Sequence, residues 1–580
     1  MNVPGNINVQ LQTCYAALQA GDFAGAERWY EQISLAHPKN GDAQHLGAII
    51  AHRMGQHPLA LLRIDKALNI APTHFEYLNT KGNISGALQD IPVALKAYNE
   101  SLKAKPDYLV AAQNLGKYLI DNKDPKRALS VYQNGLQHHP KNNLLQIGRV
   151  IALKEMMLSE EAMAELNTMA SGKNYPYVRG QILMQMERYD ESVIENRKAL
   201  AEPSLAANAF KNIMQALWMQ GRWGEAQEHI DAYLAKAGHS VAVHAAAARL
   251  LDKADDSPAA YAMLARSVAR HGPQPDILAA RARFKLQDGD MEAAYIDALA
   301  ALTARPGDLN LMVDYADGAL ATGRHEETLH AATEALKVVP NNQFWLAVKA
   351  TAMRAMGSNH EGHDHRYYMD TDKFVVPFQL EPPAGYGNLA EYNTALKSAL
   401  DEMHGLSEHP LDQSLRNGTQ TVQDLRFVQH PILKAHFKAL DKPIRTYMKM
   451  LENTKLGQDE SHPLLRRNTG EYLITGAWSV KLRKKGFHVP HVHPEGWISS
   501  AYYVDVPEEV ADTEKKAGWI HFGKPPFPVI GADGKELGYE KIVQPKAGTL
   551  VLFPSYMWHG TNPLTQDASR MTLPIDVVPT

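Results

Sequence analysis

Residues 488–503 read HVPHVHPEGWISSAYY, and the reading of the chain's second half turns on them. Side chains of an extended strand alternate faces with a period of two, so His491, His493 and, two residues on, Glu495 project to the same side. Two imidazoles on one face are metal-binding geometry, and a third ligand must come from elsewhere. His559 is the candidate, in GTLVLFPSYMWHG (548–560), where a turn glycine leads into an apolar strand-like run. Arg570 follows eleven residues later in SRMTLPIDV, with Thr572 two residues further on.

Around this stretch the chain reads as short strands separated by turns: YLITGAWSVKL, ISSAYYVDV, GWIHFG, GTLVLFP and MTLPIDVV. Such a set indicates a sandwich or barrel. The basic cluster Lys481, Arg483, Lys484 and Lys485 reads as a solvated face, and Trp478, Trp497, Trp519 and Trp558 read as core. Upstream, Leu389, Tyr392, Leu396, Leu400 and Met403 recur at helical spacing, as do Leu433, Phe437, Leu440, Ile444, Tyr447 and Leu451. Between them HPLDQSLRNGTQT (409–421) has no period; it reads as a surface loop, or as a loop folded against a site. Residues 357–372, GSNHEGHDHRYYMDTD, read as a linker whose His360, His363 and His365 lack a scaffold to hold a metal.

The first 356 residues carry an internal period. Pro38, Pro72, Pro106 and Pro140 are each 34 residues apart, and an alanine precedes each by twelve (Ala26, Ala60, Ala94, Ala128). Tyr30, Ile64, Tyr98 and Tyr132 stand eight before the prolines, and Gly82 and Gly116 stand 24 before theirs. Small residues let two helices of a hairpin approach, the large one fills the gap, and proline ends the second helix. About nine or ten units are expected, irregular around residues 171–203 and 238–273, with Phe344–Met356 as a closing helix over the last apolar face.

Composition sets limits on both halves. An apolar fraction of 45% and a charged fraction of 21% suit an ordinary globular protein, and a net charge of −4 gives no electrostatic case for nucleic acid. One cysteine, Cys14, excludes an internal disulfide and a cysteine-based metal site. No run approaches the ~18–20 apolar residues of a membrane span, and the start lacks a leader pattern, so a cytoplasmic location is expected.

The N-terminal pattern resembles the tetratricopeptide repeat. From about residue 367 to 578 the chain resembles the 2-oxoglutarate- and iron(II)-dependent oxygenases, most specifically at HVHPEGWISSAYYV and GTLVLFPSYMWHGTNP…SRMT. The expected architecture is therefore α + β and multidomain: a tetratricopeptide α-solenoid (1–356), a linker (357–372) and a double-stranded β-helix domain of jelly-roll or cupin-like form (373–580). In that last domain a helical entry (373–465) would precede a β core (466–580). The resemblance implies Fe(II) and 2-oxoglutarate as cofactors and O2 as cosubstrate. His491, His493 and His559 would be the ligands, and Arg570 would bind the far carboxylate of 2-oxoglutarate, helped by Thr572. A protein or peptide partner would lie in the repeat groove.

The usual triad in this family is two histidines and a carboxylate, so two registers are open: the three histidines, or His493, Glu495 and His559 with His491 beside them. His488, Trp478, Tyr502 and Tyr503 are candidates for supporting the site from outside, although Tyr502 and Tyr503 cannot both face inward. Two other functions stay open, a non-catalytic scaffold with a degenerate β-helix domain and a cupin-like metal enzyme that does not use 2-oxoglutarate.

Overall fold

The computed structural model describes residues 6–169, 172–236, 241–253, 256–357, 364–404, 414–421, 423–452, 459 and 461–580. Helical hairpins run from Ile7–Gln19 to the last helix, Gln343–Met356. The repeat positions do what their sizes require. Ala26, Ala60, Ala94 and Ala128 are fully buried, and Tyr30, Ile64, Tyr98 and Tyr132 are buried beside them. A Cβ added to Gly82 would stand 2.6 Å from the Tyr98 ring, and one on Gly116 would stand 2.4 Å from that of Tyr132. The absent side chain is therefore the space that the tyrosine fills.

The hairpin turns carry the period in the backbone. A residue of positive φ precedes the second helix at Gly21, Gly55, Gln89, Lys123 and Met157, always 34 apart, and again at Gly221, Gly289 and Gly323. Between Met157 and Glu187 the step is only 30. The helices there shorten to 10 and 11 residues from the 13 and 14 of the first unit, so the first irregular unit is a repeat that has lost four residues. The second irregular unit keeps register, since Gly221 and Gly289 lie two periods apart. Aspartates cap the second helices: Gly25 N–H donates to Asp22 Oδ1 at 2.8 Å and Val93 N–H to Asp90 Oδ1 at 3.3 Å. Such caps are each worth about 1 kcal/mol.

The C-terminal strands are β1 Val376–Gln379, β2 Leu415–Gln420, β3 Tyr472–Ala477, β4 Val480–His488, β5 Ile498–Asp505, β6 Ile520–Phe522, β7 Lys541–Val543, β8 Thr549–Pro554, β9 His559–Thr561, β10 Arg570–Leu573 and β11 Ile575–Pro579. They form an antiparallel eight-stranded sheet, ordered β1-β8-β5-β10-β4-β2 with β11 joining β5 to β3, and a three-stranded sheet ordered β7-β6-β9. Helices Leu389–Met403 and Pro431–Glu452 flank the domain, as their apolar spacing predicts.

Four details depart from expectation. The entry segment is not purely helical, because it supplies strands β1 and β2. Within the supposed linker, residues 365–369 and 371–374 are helical, and Tyr367, Tyr368 and Met369 are buried. His365 there meets Glu540 Oε1 at 3.0 Å, while His360 and His363 lie outside the described residues. Of HPLDQSLRNGTQT, residues 409–413 also lie outside; the rest is strand β2 and its approach, not an open loop. The basic cluster is solvated at Arg483, Lys484 and Lys485, whereas Lys481 pairs with Asp401 at 2.6 Å.

Contacts divide the chain into two units, residues 1–155 with 334–342 and 579–580, and residues 156–333 with 343–578. Within the second, Gln343–Met356 is buried on nearly every face. Gln343 N–H donates to Pro494 O at 3.0 Å, Trp558 Nε1 to Thr351 Oγ1 at 3.0 Å, and Ala532 N–H to Ala355 O at 2.7 Å. Arg354 donates to Gly523 O at 2.7 Å and Gly538 O at 2.9 Å. The closing helix is thus also a wall of the β domain.

Candidate metal centre

His491 is not in a regular strand. The HxH segment lies between β4 and β5, and His491 makes an isolated bridge with His559, each N–H donating to the other's carbonyl at 3.0 Å. His493 is tied elsewhere, its N–H donating to Ser555 O at 3.0 Å. The result still brings the imidazoles together: one ring nitrogen from each of His491, His493 and His559 lies within 4.8 Å of the others. Ring centroids are 4.2 Å apart for His491 and His559, 5.1 Å for His493 and His559, and 5.2 Å for His491 and His493.

Each imidazole has an acceptor at Nδ1. His491 Nδ1 lies 2.9 Å from Val489 O, His559 Nδ1 lies 2.9 Å from Met557 O, and His493 Nδ1 lies 2.6 and 2.7 Å from the two Asp576 oxygens. A proton on each Nδ1 leaves the Nε2 lone pair as the candidate ligand atom. Burial pushes His491 down to about 3, with the neighbouring His493 adding to the shift, and burial holds His559 well below the usual range. At neutral pH both are therefore the neutral imidazoles a metal needs. Burial also lowers His493, but the charge and hydrogen bond of Asp576 outweigh it and leave the group above its ordinary value.

Glu495 does not join the three. It sits exposed in the turn after Pro494. His488 lies at the end of β4 beside the group, with its ring centroid 5.9 Å from that of His491, and Ser414 Oγ stands 3.0 Å from His488 Nδ1 and 3.4 Å from His491 Nε2. Trp478 flanks His493 at 5.9 Å between ring centroids and is only partly buried, unlike Trp497, Trp519 and Trp558.

Arg570 and Thr572 project to one face of β10, and Thr572 is in register with Tyr503 of β5. Tyr503 therefore shares their face, with the Arg570 guanidinium 5.7 Å from its ring centroid. Tyr502 points the other way, its hydroxyl donating to Asn393 Oδ1 at 2.6 Å. Arg570 is 2% exposed, donates from Nη1 to Gly518 O, and has no carboxylate partner among the described residues. Its Nε and the Tyr503 hydroxyl are both buried without a hydrogen-bond partner. Leaving buried polar atoms unpaired is costly, and more so for a charged group. A carboxylate is the natural complement of this pair.

The residues present thus fit both groups that the sequence implies. Three imidazoles suit iron(II), and equally zinc, copper or nickel; the unmet guanidinium and hydroxyl suit a dicarboxylate's far end. Sequence reasoning missed Asp576, Ser499, Ser414 and Ser555. Asp576 had one available signal, a lone acid among the apolar residues of IDVV.

Comparison with known proteins separates the two halves. Residues 476–576, which include every member of the site except Ser414, match a family described as "Putative 2OG-Fe(II) oxygenase". Human tetratricopeptide repeat protein 6 is 24% identical over 148 residues, 26% of this chain and 28% of the relative, so the chain spans about a quarter of that relative's length. Among solved structures, PilF of Pseudomonas aeruginosa is 15% identical, covering 34% of this chain and 90% of its own, with a TM-score of 0.30. A tetratricopeptide repeat protein from Parabacteroides merdae is also 15% identical, covering 54% of this chain and 98% of its own, with a TM-score of 0.31. The chain joins an N-terminal helical array of tetratricopeptide type to a C-terminal domain that matches the 2-oxoglutarate and iron(II) oxygenase family.

Proposed function

We propose that the C-terminal domain is an Fe(II)- and 2-oxoglutarate-dependent dioxygenase that hydroxylates a side chain of a protein or peptide recruited by the repeats. The observation that carries the reading is the unmet Arg570 and Tyr503 pair, whose guanidinium acts electrostatically on His488, the neighbour of three converging imidazoles. His491, His493 and His559 would hold the metal. Iron and 2-oxoglutarate, when bound, supply O2 activation coupled to oxidative decarboxylation of the 2-oxo acid to succinate. Arg570 pairs with the far carboxylate, and Tyr503 and Thr572 donate to it. Trp478 beside His493 and Phe553, whose ring centroid is 4.7 Å from that of His559, shield the centre from water.

Recruitment by the array rests on the usual use of such solenoids, which grip extended partners along a continuous surface. A cytoplasmic setting is proposed with it; no described helix is long and apolar enough to cross a membrane. The test is calorimetric titration of the full chain with Fe(II) under anaerobic conditions and then with 2-oxoglutarate, together with succinate release in air. Both ligands should bind, and Arg570→Ala should weaken 2-oxoglutarate at least tenfold while sparing the metal. A chain that binds neither is a scaffold; one that binds metal but not 2-oxoglutarate is a cupin-like metal protein.

A further inference from the structure

The three histidines are not held alike. His491 and His559 give Nδ1–H to main-chain carbonyls, whereas His493 faces a carboxylate, Asp576, with both oxygens within 2.7 Å. Asp576 sits on β11 in register with Ser499 of β5. Ser499 Oγ donates to Asp576 Oδ1 at 2.7 Å and lies 2.9 Å from Ser555 Oγ. No lysine or arginine pairs with Asp576 among the described residues. Its charge is directed at one imidazole and fixed there by a strand, a serine and the turn that leads into His559.

The usual triad of two histidines and a carboxylate brings one negative charge to a divalent ion, whereas three neutral imidazoles bring none. We propose that Asp576 restores that charge at one remove, as a positioning residue of the metal centre acting through His493. A carboxylate accepting from Nδ1–H fixes the ring's tautomer and orientation and raises the basicity of Nε2. His493 is then the strongest donor of the three, and the glutamate in the exposed turn is not needed as a ligand. The inference rests on reading the three histidines as metal ligands.

The test uses Co(II), whose visible bands report ligand strength, titrated into the metal-free full chain. Asp576→Asn retains a hydrogen-bond acceptor for His493 but removes the charge. Its affinity for Co(II) should fall about 10- to 100-fold, the range for changes to such supporting partners, with shifted bands and unchanged far-ultraviolet circular dichroism. Asp576→Glu should recover most of the loss. Parent-like affinity and spectrum in Asp576→Asn would overturn the proposal and leave the metal reading standing. Should that variant not fold, Ser499→Ala reads the same coupling: several-fold weaker binding supports it and parent-like binding overturns it. A parent chain that binds no Co(II) would remove the metal reading and this inference together.

Discussion

The helical array and the β domain solve the packing problem in opposite ways. In the array a contact is made once and then copied: Gly82 under Tyr98 becomes Gly116 under Tyr132, 34 residues later. In the β domain nothing is copied. The candidate site gathers Ser414, His491, His493, Ser499, Ser555, His559, Arg570 and Asp576 from four separate stretches of the chain, 414, 491–499, 555–559 and 570–576. Quasi-one-dimensional stacking makes damage in the array local and graded. Convergence makes the β domain depend on all its parts at once.

Acid should expose this contrast most strongly. Burial, as the leading cause, lowers His404 to about 4, His436 and His491 to about 3, His521 to about 4, and His488 and His559 well below the ordinary value. In the array His45, His52 and His57 are lowered in the same way. A histidine with a lowered value takes up its proton on unfolding. Its contribution is therefore complete above about pH 6.5 and is lost as the pH falls towards 3–4. His493, raised by Asp576, works in the opposite sense, contributing at low pH and losing its effect as the pH rises through its folded value. Six lowered groups outweigh one raised group, so thermal scans between pH 7 and 4 should lose the β-domain transition before the array's. The reverse order would break the comparison.

The next largest effect is expected inside the array. Tyr132→Ala removes a ring that fills the space over both Gly116 and Gly148, and truncating a buried aromatic costs about 3–5 kcal/mol. Calorimetry should register that loss in the array, while Co(II) binding at the β domain stays at the parent level. Loss of metal binding in this variant would mean that the two regions are not energetically separate. A smaller effect is expected at their join. Arg354→Ala deletes the donors to Gly523 and Gly538 and a contact of 3.5 Å with Glu540. A loss of about 1.5–3 kcal/mol, the range for a hydrogen bond to a charged group, should appear in the β-domain transition.

The same contrast explains what could be read in advance. The array was legible because proline, alanine and tyrosine recur at fixed intervals and their roles follow from size alone. The four residues missing before Glu187 were visible only as a loosened period, since a shortened hairpin shows itself in turn positions rather than in residue types. At the site, His491, His493, His559 and Arg570 announce themselves by residue type. Strand parity, however, was only an approximate guide, because the HxH segment is held by a bridge to His559 and by Ser555 rather than by a ladder. Asp576 was hidden because its meaning depends on an 83-residue closure that puts it behind His493. Tyr502 and Tyr503 were separable only in part: alternation says they diverge, and pairing with Thr572 says which one meets Arg570.

The helix Gln343–Met356 bears on how such a protein can be taken apart. Its first residue bonds the carbonyl next to His493, and its Thr351 bonds the indole next to His559. A fragment cut at the apparent boundary after residue 356 would leave the neighbours of both histidines without their hydrogen-bond partners and open to water the surface that the helix covers. Recombination at that junction would face the same penalty. The inheritable module that contains the site therefore begins inside the repeats, at the helix that ends them.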